Sequence, residues 1–230
     1  MINLIIIPAR SGSKGIKNKN IKRLNKKELI KYTLDSCKNI NIPNKFIIVS
    51  SDNKFINKIA EEYGFYHNYV RPKSLAKDSS KIQDAVLHVS SWVEKKFNKK
   101  VENIILLQPT SPLRKIIDIE KSFKHFKRLN LDSLVSVTPV IQSMYDIGEI
   151  RNNKLKKIIK DNKIFQRQQE KKSFYFIDGS IYIASLNFIK RNKSFLNKDS
   201  YPFVLKRKYS IDIDDNEDFS VAEKIIINGK

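Results

Sequence analysis

Two groups of residues at opposite ends of the chain could do chemistry together. One is Asp212-Ile213-Asp214. Side chains along an extended strand alternate between faces, so this spacing puts both carboxylates on one side. Like charges on one face repel unless something positive lies beside them. Mg²⁺ is the natural candidate, since it favours carboxylate plus phosphate oxygens and keeps waters. A solvated strand end running into a helix is the plainer reading, with Asp215 or Asn216 as N-cap and Glu217 and Asp218 favouring the helix dipole. That reading suits Asp215 and Asp218 better than Asp212 and Asp214. The other group is the loop Pro8-Ala9-Arg10-Ser11-Gly12-Ser13-Lys14-Gly15-Ile16-Lys17-Asn18-Lys19-Asn20. Its glycines let backbone approach a ligand, its amides can donate, and its cations can neutralise phosphate charge. It fits neither the G-x-x-x-x-G-K-[ST] pattern nor G-x-G-x-x-G. By itself it is equally compatible with a basic turn.

Two further segments carry polar groups at strand ends. Gln108 closes an apolar run just before Pro109, where its amide can donate and accept towards a base or sugar. Thr110, Ser111 and the two prolines around them are also what a rigid turn needs. Arg71-Pro72 ends an extended segment, which makes Arg71 a candidate anion contact or a surface salt bridge.

These residues need a frame to bring them together. Strand-like runs at Leu4–Ile7, Phe46–Ser50, Ile104–Gln108, Leu134–Val137, Ser180–Ala184 and Tyr209–Ile213 alternate with helical stripes. The stripes are Leu29, Thr33, Cys37, Ile40; Phe55, Ile59, Tyr63 with Gly64 as C-cap; Ile82, Val86, Val89, Val93, Phe97; and Ile119, Phe123, Phe126. The fold class is therefore α/β, a mostly parallel sheet with helices on both faces. In such sheets ligands sit beyond the carboxyl ends of the strands, where the unusual residues fall. The rhythm breaks between about 139 and 178, a polar stretch that reads as an arm, insertion or lid. The whole chain, 1–230, reads as one domain.

Composition narrows the classes. The chain of 230 residues carries 45 Lys plus Arg against 24 Asp plus Glu, a net +21, and one cysteine. No intramolecular disulfide is possible, in line with a reducing compartment. The first apolar run is too short for a signal or a membrane span, and the expectation is a soluble cytoplasmic protein. A basic balance raises nucleic-acid binding. However, the lysines are scattered, and Lys, Asn and Ile are all abundant, as happens when a genome is poor in G and C. No helix-turn-helix, zinc or RNA-binding signature appears. The positive field would still draw in anionic substrates. Cys37 and Trp92 read as packing residues, and His67, His88 and His125 have no metal spacing.

Taken in order, these pieces resemble the acylneuraminate cytidylyltransferases, the CMP-sialic acid synthetases. The resemblance runs through Pro8-Ala9-Arg10, Gly12-Ser13-Lys14-Gly15 and Lys19-Asn20; Arg71-Pro72, Leu75-Ala76 and Asp78; Leu106-Leu107-Gln108-Pro109-Thr110-Ser111-Pro112-Leu113-Arg114; Arg167-Gln168-Gln169; Asp178-Gly179-Ser180-Ile181-Tyr182; and Ser210-Ile211-Asp212-Ile213-Asp214. It implies a Rossmann-like nucleotidyltransferase sheet with a dimerisation insertion at 139–178. It also implies that CTP and a nonulosonic sugar acid give a CMP-sugar and pyrophosphate. On that resemblance Arg10, Lys19 and Asn20 lie in the CTP loop, with Lys19 on phosphate oxygens and Ser13 and Lys14 shaping it. Arg71 and Gln108 line the cleft, and Asp212 and Asp214 hold Mg²⁺. Arg167 meets the sugar carboxylate, reaching into the partner's site of a homodimer, and Tyr182 lines the sugar pocket. Asp178 replaces an asparagine common in the family. A carboxylate there should disfavour an acidic ligand unless it points away or meets an amine, so the sugar stays open among neuraminate, legionaminate and pseudaminate. A nucleotidyltransferase for another keto acid, Kdo-like, is the alternative enzyme, and a nucleic-acid-binding protein the alternative class.

Overall fold

The computed structural model describes residues 1–12, 15–141, 146–158 and 173–229. Its centre is a six-stranded sheet in the order β10-β6-β9-β5-β1-β4. The strands are β1 (Ile2–Pro8), β4 (Lys45–Ser50), β5 (Val101–Leu106), β6 (Ser133–Pro139), β9 (Tyr175–Ser185) and β10 (Tyr201–Val204). β1 pairs in parallel with β4 and β5, and β10 pairs in parallel with β6. β9 alone runs antiparallel, between β5 and β6. The sheet is thus mostly parallel, as the alternation of elements implies.

β1 shows why its run is apolar throughout. Ile5 and Ile7 join one core with α1 (Leu29–Lys38), α2 (Lys54–Glu62) and α4 (Ile116–Arg128). Leu4 and Ile6 join the other with α3 (Ile82–Phe97) and α5 (Leu186–Asn192). Successive side chains point to opposite faces, and both faces are covered. Cys37 packs in the first core, where burial pushes its thiol up to about 12. Trp92 borders the second core. Tyr69 joins the same core and shares a hydrogen bond with His88, Oη to Nδ1 at 2.9 Å.

A third, smaller core matters most for function. Ile16 from the amino-terminal loop, Leu24, Leu29, Ile213 and Phe219 bury together. Leu24 belongs to β2 (Arg23–Leu24), which pairs with β3 (Lys27–Glu28), and Phe219 to α6 (Asn216–Asn228). Each such buried side chain is worth about 1.5–3 kcal/mol, so the loop and the Asp212–Asp214 segment share one hydrophobic anchor. Asp215 caps α6, accepting from the amides of Glu217 and Asp218, while Asp218 reaches back in a capping box.

The strand expected at Tyr209–Ile213 is absent. Residues 207–209 form a 3₁₀ turn and 210–214 have no regular secondary structure. The edge position of the sheet belongs instead to β10, which the sequence pattern did not reveal because Pro202 inside the short run argues against a strand and is tolerated only at an edge. Within 139–178, β7 (Gly148–Arg151) and β8 (Lys154–Lys157) make an exposed hairpin, and β9 begins at Tyr175, earlier than the sequence pattern marks.

Candidate active site

Beyond the carboxyl ends of β1 and β5 lies a cleft of about 250 Å³. Its walls include Arg10, Gly12, Lys19, Asn20, Arg71, Gln108, Thr110, Asp212 and Asp214. Segments separated by about two hundred positions in the chain therefore meet in one place.

The positive wall is held by its own hydrogen bonds. Arg10 Nη1 donates to Asp78 Oδ1 at 2.6 Å. Ser11 donates to the Asp52 carboxylate twice, through its amide at 2.8 Å and its hydroxyl at 2.6 Å. Asn20 Nδ2 donates to the Arg10 carbonyl at 3.0 Å, so this side chain shapes the loop. Arg71 is 3% exposed; its Nε donates to Ser50 Oγ at 3.0 Å, and its Nη2 is buried with no partner among the described residues. Burial lowers the Arg71 pKa, and the neighbouring Arg10 charge lowers it further. An anion between the two guanidiniums would relieve both effects.

The acidic wall stands opposite. Asp212 and Asp214 do not alternate along a strand; the chain is held instead by Ile213, whose amide donates to the Thr110 carbonyl at 2.8 Å and whose side chain is fully buried. Asp212 Oδ1 is buried without a partner among the described residues. Burial pushes the Asp212 carboxyl above its usual range and the like charge of Asp214 adds to the push, while the Thr110 hydroxyl and the Lys19 charge hold part of it back. Asp214 is largely exposed. Lys19 spans the two walls, donating to the Ile213 carbonyl at 2.6 Å and to Asp214 Oδ1 at 3.1 Å. The backbone approach is close: a β-carbon on Gly15 would fall 2.1 Å from the Asp214 carbonyl oxygen. Only glycine fits there.

Residues 4–226 match the cytidylyltransferase family. The chain belongs to that family. It is 33% identical over 228 residues to the CMP-N,N'-diacetyllegionaminic acid synthase of Campylobacter jejuni, covering 97% of this chain and 94% of the relative. It is 31% identical to the N-acylneuraminate cytidylyltransferase of Escherichia coli, covering 95% of this chain and 51% of that longer protein. Among solved structures it is similar in fold to CMP:2-keto-3-deoxy-manno-octonic acid synthetase complexed with CTP, with a TM-score of 0.71 at 12% identity and full coverage of both chains.

Not every residue expected at this cytidylyltransferase's site reaches the cleft. Tyr182 sits one strand away, paired with Leu106 and Val135, with its ring 5.7 Å from Phe195 and packed on the second core. It is absent from the cleft walls. Burial raises its hydroxyl pKa, with Asp212 and Asp178 adding their charge. Ser13, Lys14 and Arg167 lie outside the described residues. Asp178 is fully buried and points away from the cleft. It accepts from the Ser136 and Thr138 hydroxyls and from the Ser180 amide. The expected clash with an acidic ligand therefore does not arise.

Sequence reasoning missed Asp52, Ser50 and Asp78 as supports. Asp52 and Ser50 follow directly from the strand-end rule, since both stand at the carboxyl end of β4. Asp78 follows shortly after Arg71-Pro72, but nothing local says that its partner is Arg10, 68 positions away. No helix among the described residues is long and apolar enough to cross a membrane.

Proposed function

We propose that this cytidylyltransferase activates a nonulosonic sugar acid with CTP, giving the CMP-sugar and pyrophosphate. One observation carries the reading: Asp212 Oδ1 and Arg71 Nη2 are buried and unpartnered in residues that line one cleft. A buried carboxylate oxygen and a buried guanidinium nitrogen without partners each cost free energy that a ligand would recover. A nucleoside triphosphate with its divalent cation supplies both partners. The named relatives narrow the second substrate to the nonulosonic acids.

In this scheme the anomeric hydroxyl of the sugar acid attacks the α-phosphorus in line. The new O–P bond forms as the bond to the pyrophosphate oxygen breaks, and the hydroxyl proton leaves to solvent. Arg10 and Arg71 neutralise the triphosphate, and Lys19 adds charge beside it. Loop amides and Gly12 let the backbone approach. Gln108 orients the base or sugar through its amide. Positioning and charge neutralisation supply most of the rate in such displacements.

Asp212 and Asp214 would hold Mg²⁺. The donor set fits: two carboxylates from one segment leave room for phosphate oxygens and water, the arrangement this ion takes. The unpartnered Asp212 oxygen is available to it. When bound, the ion polarises the phosphate under attack.

We also assign the enzyme to the cytoplasm, where CTP is made, and to a homodimer. The dimer reading rests on apolar side chains left exposed around the hairpin and β9: Ile141, Ile150, Leu155, Ile158, Phe176 and Ile177. Arg167 lies in the same stretch of chain and would reach the partner's sugar site. The test is a panel of nonulosonic acids and a Kdo control incubated with CTP and Mg²⁺, with products read by mass. A CMP-sugar from one nonulosonic acid is expected; folded protein that forms none from the panel refutes the proposal.

A further inference from the structure

Arg114 is buried beneath the cleft and is not among the residues that line it. It is 5% exposed, and no carboxylate lies within ion-pair distance among the described residues. Its guanidinium meets three elements at once. Nη1 donates to the Gln108 carbonyl at 3.1 Å and to the Ser180 carbonyl at 2.7 Å, and Nη2 donates to Thr33 Oγ1 at 2.9 Å on α1. Burying a charge without a contact counterion is costly, and an apolar side chain would fill such a site more cheaply. A planar fork of donors is what an aliphatic or ammonium side chain could not reproduce.

What the fork holds stands directly under the reacting groups. Gly179 sits beside Ser180 with φ +73°, a conformation that favours glycine. A β-carbon there would lie 3.0 Å from Asp212 Oδ2 and 3.8 Å from Gln108 Nε2. Both cleft side chains therefore face the side of Gly179 where a β-carbon would stand. Ser180, the residue after that glycine, is held by opposite charges at its two backbone polar groups. Asp178 accepts from the Ser180 amide at 3.0 Å, and Arg114 donates to the Ser180 carbonyl. Asp178 is anchored in turn by Ser136 and Thr138 on β6. Burial lowers the Arg114 pKa to about 10, which leaves the guanidinium charged at neutral pH.

We infer that Arg114 is a positioning residue that sets where Gln108 and Asp212 stand, by tying the loop after β5 to the irregular stretch of β9 at Gly179 and both to α1. It does not touch substrate. The inference rests on the proposed reaction for its kinetic arm and on the fold alone for its structural arm.

The test uses Arg114→Lys, which keeps the charge and loses the fork, and Thr33→Val, which removes one anchor and keeps the arginine. For Arg114→Lys the expected result is a fall in kcat of about a hundredfold, the scale of a 1 Å misplacement. CTP affinity, measured by calorimetry without sugar acid, should fall by much less than kcat, because Arg10, Lys19 and Arg71 are held by other partners. Thr33→Val should show the same split with a smaller loss. Combining Arg114→Lys with Gln108→Ala should lose less than the two single losses multiplied, since both act on one group. Full multiplicativity, or a parallel loss of CTP affinity, overturns the inference. A crystal structure of Arg114→Lys gives a readout independent of turnover. Displacement of the Gln108 side chain from Gly179 by more than about 0.5 Å supports the role, and unchanged positions refute it. If no nonulosonic acid reacts with the unaltered enzyme, the reaction fails while this displacement still decides the inference. If Arg114→Lys does not fold, Thr33→Val carries both arms.

Discussion

Gly15→Ala tests the meeting of the two walls directly. The added methyl would lie 2.1 Å from the Asp214 carbonyl oxygen, where ordinary contact begins at 3.4 Å. Loop and acidic segment must separate by about 1.3 Å, because both atoms in conflict are fixed to backbone. Lys19 bridges the same gap, at 2.6 Å to the Ile213 carbonyl and 3.1 Å to Asp214, so those two hydrogen bonds would stretch past useful length. A shift of about 1 Å at reacting groups costs on the order of a hundredfold in rate. The small core shared by Ile16, Ile213 and Phe219 would loosen with that separation, but the two larger cores on the faces of the sheet are untouched, so the chain should still fold. The assay is CTP-dependent pyrophosphate release with a nonulosonic acid, run beside far-UV circular dichroism and a thermal melt. Expected is a kcat/KM about a hundredfold lower with an unchanged dichroism spectrum. A rate within threefold of the parent would refute the claim that the loop and the acidic segment form one site.

Three further outcomes follow from the same geometry. Asp212→Asn should abolish most turnover while leaving the thermal midpoint equal or higher, since the amide removes a buried charge that Asp214 repels; retained turnover at parent level would sink the metal-holding role. Ser50→Ala removes the hydroxyl that orients Arg71, a hydrogen bond to a charged group worth about 1.5 kcal/mol, so the KM for CTP should rise about tenfold with little change in kcat. An unaltered KM would show that Arg71 is oriented by other contacts. Cys37, with its thiol pushed up to about 12 by burial, should resist a disulfide reagent at pH 8 in the native state and react with one equivalent after denaturation; rapid native labelling would contradict its packing in the core.

Much of this molecule was written locally. The run Leu4–Ile7 specifies a strand buried on both faces because each residue is apolar, and the stripe Ile82 to Phe97 specifies α3 because its apolar positions recur at helical spacing. The rule that ligands collect beyond parallel strand ends places Arg10 and Gln108 on one rim from the sequence alone. Glycines and lysines after β1 pointed to an anion, since few other side chains combine close backbone approach with charge.

Other features were settled only by chain folding. Asp212 and Asp214 look like a strand pair from their spacing, yet they are held by the burial of Ile213 against Phe219 and against Ile16, which is close in space and remote in sequence. The same holds for Lys19 on Asp214, Arg10 on Asp78, and Asp178 turned inward. Each is a pairing between side chains tens to hundreds of positions apart. Sequence determines which groups can donate, accept or carry charge and the period with which they recur. Which donor meets which acceptor depends on how helices and strands pack, because hydrogen bonds and ion pairs act over a few ångströms and local periodicity carries no record of those distances.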